Sequence, residues 1–422
     1  MATDVDVQYF SHLNGLVLGN NWGDLIRLLD KALVTGIDFT QITAASIDAQ
    51  GDVHITLYAA HNAMLFQVVE LTGFAPASFN QKYRIKGVPN TTQLILKPHA
   101  AIAETSITTV GAGKLASLGY EIIFRDTNDV KRVYRAKNPT EQHPYIRVDE
   151  SIASDTGSYA STYAKYAMVG LLEHMDHIDD YENHNVLQLP FDPANPAKNW
   201  KITGSGTGVV RGWSRWYWAA LNSFNSNMVA TTSPATGQRG FTLLGDQDAF
   251  YLDLSLSLDL TKKGIYGCGI INASLDSSIV RSWFLMSTLN NVSASTAFTG
   301  INIQGGSPIA NSLNSAKFLI PKYSLVDPIQ EHTTANPIVP DYFSGRTGLY
   351  DSNNIAALEI PISDDQKYLR GHLKHIHYCG NIKSLSATTP ILKDNFMYVG
   401  DNIFAGNPVN NTGAIIGYLG EL

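Results

Sequence analysis

FYLDLSLSLDL, residues Phe250–Leu260, sets Phe250, Leu252, Leu254, Leu256, Leu258 and Leu260 at every second position, with Tyr251, Asp253, Ser255, Ser257 and Asp259 between them. A strand sends successive side chains to opposite faces, so this spacing gives one apolar and one polar face. A helix would scatter the same leucines around its circumference. At about 3.3 Å per residue the stretch would reach roughly 36 Å, long for a strand. The apolar face must find a partner layer, and the polar face is expected to be wet or to meet a polar neighbour. Gly245-Asp246 before it and Lys263-Gly264 after it supply turn chemistry. The stretch predicts the spine of an antiparallel sheet, with a central domain built against it.

Period-two alternation recurs towards the N-terminus. Val53, Ile55 and Leu57 alternate with His54 and Thr56. Residues 66–71, 81–86 and 92–97 read as further strands, broken by Gly73-Phe74-Ala75-Pro76 and by Gly87-Val88-Pro89-Asn90. Such spacing predicts a small barrel or sandwich. Residues 120–124 and 131–135 flank Asn128-Asp129 and read as a hairpin. Ahead of them, Leu25, Leu28, Leu29, Ala32 and Leu33 repeat at helical spacing. With Asn21 as N-cap, Asp24 in the first turn and Gly36 just past the end, residues 20–36 predict a short amphipathic helix. Residues 145–149 form an arginine-bearing strand. Residues 157–172 give no clean stripe and read as a helix or a buried irregular run. Pro190, Pro193 and Pro196 demand a loop. Residues 264–271 and 282–288 read as strands. The expected fold is mainly β and multidomain, with antiparallel sheets as a sandwich or small barrel and one short N-terminal helix. Four segments are drawn: an arm and helix at 1–45, a small β-domain at 46–140, a central β-rich domain at 141–330 and a C-terminal β-rich segment at 331–422.

Composition narrows the function. At 422 residues the chain exceeds one ordinary core. Apolar residues make up 44% and charged residues 16%, and the net charge of -7 is spread without a basic patch. That argues against a dedicated nucleic-acid binder. Cys268 and Cys379 cannot build a disulfide framework and are expected as free thiols in a reducing compartment. The N-terminal residues show no signal-peptide pattern, and no apolar run is long enough to span a bilayer, so no membrane insertion is expected.

Three ordered blocks resemble virion proteins of tailed bacteriophages. The first joins a helix carrying Leu25, Ile26, Leu28, Leu29, Asp30, Leu33, Val34, Thr35 and Gly36 to a turn carrying Gly73, Pro76, Phe79, Asn80, Tyr83 and Ile85. Gln81 stands where the pattern usually has Gly. The second block is Gly240–Asn272, in which an acidic turn leads into the Phe250-Tyr251-Leu252 strand and on to a glycine-bearing turn. The third carries Arg370, Gly371, Leu373 and Gly380, with Lys374 and His375 in place of the usual Pro-Gly. The resemblance implies a structural virion component of the tail or baseplate. It would be made and assembled in the host cytoplasm as a homo-oligomer in a symmetric assembly, with other virion and tail proteins as partners. No nucleic acid, no cofactor and no catalytic activity are expected. Trp213, Trp216, Trp218, Phe250 and Tyr251 are the expected interface residues. The rival readings are a virion-associated glycan or peptidoglycan hydrolase and a receptor-binding spike or fibre with a sugar groove.

Candidate chemistry is sparse. Gly204-Ser205-Gly206-Thr207-Gly208 lacks both the Lys-Ser/Thr of a phosphate loop and a strand–helix setting, and reads as a hairpin tip. His174, His177 and His184 lie among acidic residues without the zincin pattern, and read as a polar helix end. His372, His375, His377 and Cys379 form the densest ligand set. On a regular strand His375, His377 and Cys379 would share one face, where a transition metal could bind. Virion proteins of the resembling type also place histidines on three-fold axes around a metal, so His372, His375 and His377 are the metal candidates. The blander reading is a half-buried polar strand. No nucleophile motif is visible, and the acidic pairs Asp246/Asp248 and Asp364/Asp365 are dispersed.

Overall fold

The spine strand runs Ala249–Ser255, ending earlier than the leucine alternation predicts. The ladder stops because Leu256 gives its carbonyl to Ala220 N–H (3.0 Å) and Arg239 Nε (2.8 Å) instead of to a neighbouring strand. The chain then turns on Asp259, whose Oδ1 accepts from Thr261 N–H at 3.0 Å and Thr261 Oγ1 at 2.6 Å. Leu258 and Leu260 keep the alternation in sequence but lie beyond the sheet, 44% and 38% exposed. The computed structural model describes residues 3–140, 142–151, 159–183, 185–191, 194, 200, 202–203, 210–211, 214–224, 229–275, 282–289, 307–309, 316–323, 331–338, 358–379, 388–404 and 412–422.

The fold is mainly β, built of curled antiparallel sheets that form half-barrels. The spine lies in a thirteen-stranded central sheet, between Phe241–Gly245 and Lys263–Ile270. Beyond Phe241–Gly245 the edge is the N-terminal strand Gln8–Ser11. On the other side follow Trp283–Leu289, Ser214–Ala219, Lys165–Leu172, Tyr145–Asp149, Lys131–Ala136 and Tyr120–Arg125. A seven-stranded N-terminal sheet holds Ile37–Asp38, Ala112–Leu115, Val68–Thr72, Lys82–Asn90, Gln93–Pro98, Val53–Leu57 and Ile42–Ile47 in spatial order. A seven-stranded C-terminal sheet is built round Leu358–Ser363, Leu369–Tyr378, Thr412–Glu421, Phe396–Phe404 and Thr389–Lys393. Sheet membership crosses the segments drawn from sequence. Gln8–Ser11, Tyr120–Arg125 and Lys131–Ala136 all join the central sheet. Lys165–Leu172 is a strand buried along its whole length, and burial of both faces removes the alternation that marks a strand in sequence.

The two faces of the spine enter two cores. Phe250, Leu252 and Leu254 join the helix leucines Leu25, Leu28, Leu29 and Leu33 and the N-terminal sheet residues Ile55, Tyr83, Ile85 and Leu94. Each such side chain removed from water contributes about 1.5–3 kcal/mol. Tyr251 joins Leu244, Ile265 and Phe284 of the central sheet and Leu373, Ile376, Val399 and Leu419 of the C-terminal sheet. The central sheet is therefore a middle layer covered on both sides near the spine.

The predicted helix is only partly regular. Asp24–Leu29 is α-helical, but Asp30–Thr35 continues as a π-helix. Asn21 does not cap it. Gly23 occupies the N-cap with no side-chain bond of its own. The cap comes instead from Glu150, far along the chain: its carboxylate accepts from Gly23 N–H and, at 2.9 Å, from Ile26 N–H. Gly36 closes the helix as expected, with φ of 74°, and a Cβ there would lie 2.1 Å from the Leu115 carbonyl oxygen.

Arg84 ties three layers together. Its guanidinium is fully buried and donates to the carbonyls of Asp4, Val7, Phe66 and Leu419, with Asp4 accepting from both Nε and Nη2. It thus joins the N-terminal arm, the N-terminal sheet and the last strand, with no carboxylate in ion-pair contact among the described residues. Burial holds this group down, to about 10.

Candidate functional site

The acidic turn Asp246-Gln247-Asp248 joins Phe241–Gly245 to the spine, and the three sheets meet around it. Asp246 Oδ1 accepts from Asp248 N–H at 2.8 Å and Ala249 N–H at 3.0 Å, which fixes the turn locally. Its other oxygen lies 2.8 Å from His375 Nε2. Burial pushes the Asp246 carboxyl up, but the hydrogen bond from His375 and those from the turn outweigh it, and the net direction is down. Asp248 pairs with Lys374 Nζ. The third sequence block therefore clamps the turn of the second.

The clamp depends on an irregular backbone. His375 has a φ of 63°, in the left-handed region that non-glycine residues rarely adopt. That breaks the alternation of Leu369–Tyr378. Gly371 has a φ of 140°, and a Cβ there would sit 1.9 Å from the Asn272 carbonyl oxygen. Its bare Cα lets the short strand Asn272–Ala273 pair against His372 and Gly371. Arg370 donates to the Pro321 carbonyl at 2.9 Å and lies 3.6 Å from Asp364.

The three candidate histidines line one cavity of about 320 Å³ with Asn272, Glu359 and Tyr418, but they do not converge as a ligand set. His375 is turned away to Asp246. His372 Nε2 meets Asn272 Nδ2 at 2.9 Å. His377 sits edge-on to Tyr418 with ring centroids 6.4 Å apart, and its Nδ1 has no hydrogen-bond partner among the described residues. Burial lowers the His377 imidazole, opposed by Glu359. Burial also pushes the Cys379 thiol up to about 12. Among the described residues, no group of three or more His, Cys, Asp and Glu side chains could hold a metal ion. The left-handed turn at His375, which spacing does not reveal, separates the set. Gly380 lies outside the described residues.

The remaining candidates are placed as follows. Trp216 and Trp218 are wholly buried, as are Phe250 and Tyr251 to within 1%. Trp216 stacks on Tyr266 at 5.6 Å and donates from Nε1 to the Met286 carbonyl at 2.8 Å. Trp218 meets Trp22 edge-on at 5.8 Å, and Tyr251 stacks on Phe284 at 5.6 Å. These four residues are core anchors of their own chain rather than surface anchors for a partner, because all are buried in its two cores. Trp213 lies outside the described residues, as do His184 and residues 204–208. The flanking Ile202–Thr203 and Val210–Arg211 pair antiparallel. His174 and His177 sit in an exposed loop instead of on a helix, engaged with Asp176 at 2.9 Å and Asp179 N–H at 3.2 Å. Asp364 accepts from Gln366 and Tyr368 N–H in a turn.

Two clefts flank the acidic turn, one mainly polar and the other about half apolar. One, of about 570 Å³, is lined by Asp6, Glu70, Lys82, Lys114, Lys137 and Asp246 at the join of the N-terminal and central sheets. The other, of about 520 Å³, is lined by Gln142, Asp248, Asn272, Ser282 and Lys374. Both are wide and mixed in charge, so neither selects one sign of ligand. The residues that sequence reading missed are Asp253 and Glu150. Each is a buried carboxyl; Asp253 reads in sequence as an ordinary polar strand residue, and Glu150 as the residue just after a strand.

No known protein-family model matches the chain, and no curated protein matches it. Among the described residues, no helix is long and apolar enough to cross a membrane.

Proposed function

We propose that this chain is a structural component of a tailed-bacteriophage virion, of the tail or baseplate, acting through assembly interfaces with further copies and other tail proteins. The observation that carries the reading is the convergence of the three resembling blocks. Leu25, Leu28, Leu29 and Leu33, then Phe79, Tyr83 and Ile85, then Phe250, Leu252 and Leu254 share one core. The third block grips the turn of the second through Lys374 and His375. The residues that carry the resemblance in the first two blocks thus build a shared core, and the third block is tied to it at Lys374 and His375, the two positions where it departs from the pattern. A framework held by such residues suits a subunit whose work is to hold a shape under load from its neighbours.

The contact surface in this reading is the free end of the spine hairpin. Gly237–Gly240 lies against Leu258 and Leu260, and Gln238 donates to the His12 and Leu16 carbonyls, which brings exposed Leu13 and Val17 to the same end. A second copy packed there would cover apolar atoms that the monomer leaves wet. The test is sedimentation of the purified chain and mass spectrometry of purified particles, for the wild type and Leu258→Asp. Assembly of the wild type, its presence in particles and the loss of both in the variant are expected. A chain absent from particles sinks the proposal. So does purified protein that degrades peptidoglycan or capsular polysaccharide, which would put the hydrolase in its place.

A further inference from the structure

Among the described residues, the apolar seam between the central and C-terminal sheets encloses a polar cluster away from the Asp246–His375 and Asp248–Lys374 pairs. Register places Ser11, Thr242 and Asp253 side by side across three strands, and Ser255 opposite Lys263. Facing them, Val399, Asp401 and Ile403 alternate along Phe396–Phe404, so Asp401 interrupts an otherwise apolar stripe. Asp253 is 2% exposed, Asp401 3% and Lys263 0%.

The two carboxyls are treated very differently. Asp401 Oδ2 accepts from Lys263 Nζ at 2.6 Å and Thr242 Oγ1 at 2.5 Å, and its Oδ1 accepts from Asn402 N–H at 2.8 Å. Thr388 extends this network to Thr242 at 2.6 Å and to Ser11 at 2.8 Å. Among the described residues, Asp253 has no hydrogen-bond partner at either oxygen, and neither does the Ser255 hydroxyl on the same face. With both carboxyls ionised, two negative charges would face one ammonium that Asp401 already holds. A buried ion without a partner is the least tolerable polar group in a protein interior.

We propose that Asp253 is a proton-operated latch: as a neutral acid it lets the C-terminal sheet close on the central sheet, and as a carboxylate beside Asp401 it loosens that seam. Burial first, and then the Asp401 charge, push the Asp253 carboxyl well above the usual carboxylate range, with Lys263 pulling the other way. His12 faces the same Lys263–Asp401 pair and is itself held low, chiefly by burial. The sign follows from linkage. The unfolded chain releases the Asp253 proton near pH 4, whereas the folded chain keeps it to higher pH. The stability it contributes is full below about pH 4 and is lost as pH rises through the folded value, by at most about tenfold in the unfolding constant per pH unit.

The experiment compares the full chain with Asp253→Asn across roughly pH 4–9, by urea unfolding and by amide exchange corrected for its intrinsic pH dependence. The wild type should lose stability relative to the variant as pH rises. Amides of Phe396–Phe404 and Thr412–Glu421 should open faster at high pH in the wild type alone, and those of Val53–Leu57 should not. Parallel curves for the two proteins overturn the latch. Asp401→Asn gives an independent arm, because it hands Lys263 to Asp253 and should flatten the same pH dependence. If that variant keeps the wild-type dependence, the two carboxyls are uncoupled and the proposal fails. Opening that follows added sodium or potassium chloride instead of pH would mean that a cation occupies the cluster, which also overturns it. If Asp253→Asn does not fold, pH-linked opening of those two strands in the wild type, abolished by Asp401→Asn, decides the matter.

Discussion

Phe250, Leu252 and Leu254 leave the spine strand on one side, and Tyr251, Asp253 and Ser255 leave it on the other; both sets are buried. On the first side the neighbours are the helix and the N-terminal sheet, and the contacts are hydrocarbon. On the second side the C-terminal sheet covers the strand, and the contacts divide between aromatic stacking at Tyr251 and the polar cluster around Asp253. Alternation of apolar and polar residues is therefore a statement about chemistry, not about wetness. The same contrast separates two buried carboxyls. Glu150, on the helix side, spends its oxygens on two backbone N–H groups of a helix start. Asp253, on the other side, meets no donor among the described residues. Burial raises both, and Glu150 reaches about 8 despite the opposing hydrogen bonds from Ile26 and Gly23.

The largest effect expected from this contrast is at Leu254, which is fully enclosed on the hydrocarbon side. Leu254→Asp places a carboxyl there without a donor and removes a leucine, so it should cost about 5 kcal/mol or leave the chain unfolded at 25 °C. Circular dichroism during urea unfolding reads this, and a loss below about 1 kcal/mol would mean that the strand does not face that core.

Glu150→Gln should have an intermediate effect of about 1–2 kcal/mol, because an amide has only one accepting oxygen for two N–H groups. The folded value of Glu150 is raised, so its contribution is present below the unfolded value, near 4.5, and falls away as pH rises through about 8. The variant should lack that decline. A variant whose stability tracks the wild type at every pH between about 5 and 9 would remove Glu150 as the helix cap.

The smallest effect separates a buried polar face from a wet one. Ser255 reads in sequence as a residue of the polar face, wet or against a polar neighbour, at which Asp would be nearly silent. In the fold it is fully buried with an unpartnered hydroxyl. Ser255→Ala should be neutral or stabilising by about 0.5 kcal/mol, since it deletes a polar atom that makes no bond. Ser255→Asp, in contrast, should cost about 3 kcal/mol beside Asp253. Equal melting temperatures for the two variants would show that the face is wet after all.

Much of the fold was legible because local chemistry forces it. The hairpins at Asp246-Gln247-Asp248 and around Asn128-Asp129, the strand Val53–Leu57 and the closing glycine Gly36 all follow from period, turn residues and φ. The misses share a cause, a partner far away in sequence. Lys165–Leu172 hid its strand character because three strands pair with it and it is buried along its whole length. Asn21 was the expected cap, and Glu150 took the role from the central sheet. The histidine set looked like one face of a strand until the left-handed turn at His375 sent one ring to Asp246.

The sequence by itself determined that this chain is mainly antiparallel β, where its turns fall, and that Phe250, Leu252 and Leu254 must find an apolar partner. Each of these rests on neighbours a few residues apart, whose steric and solvation preferences act before any tertiary contact exists. Only the tertiary structure decided that the polar face of the spine is dry, that Trp216 and Trp218 are interior, and that Asp253 stands without a donor opposite an ion pair. Those outcomes depend on which surface a distant strand covers, and burial sets the cost of a charge far more steeply than sequence spacing can signal.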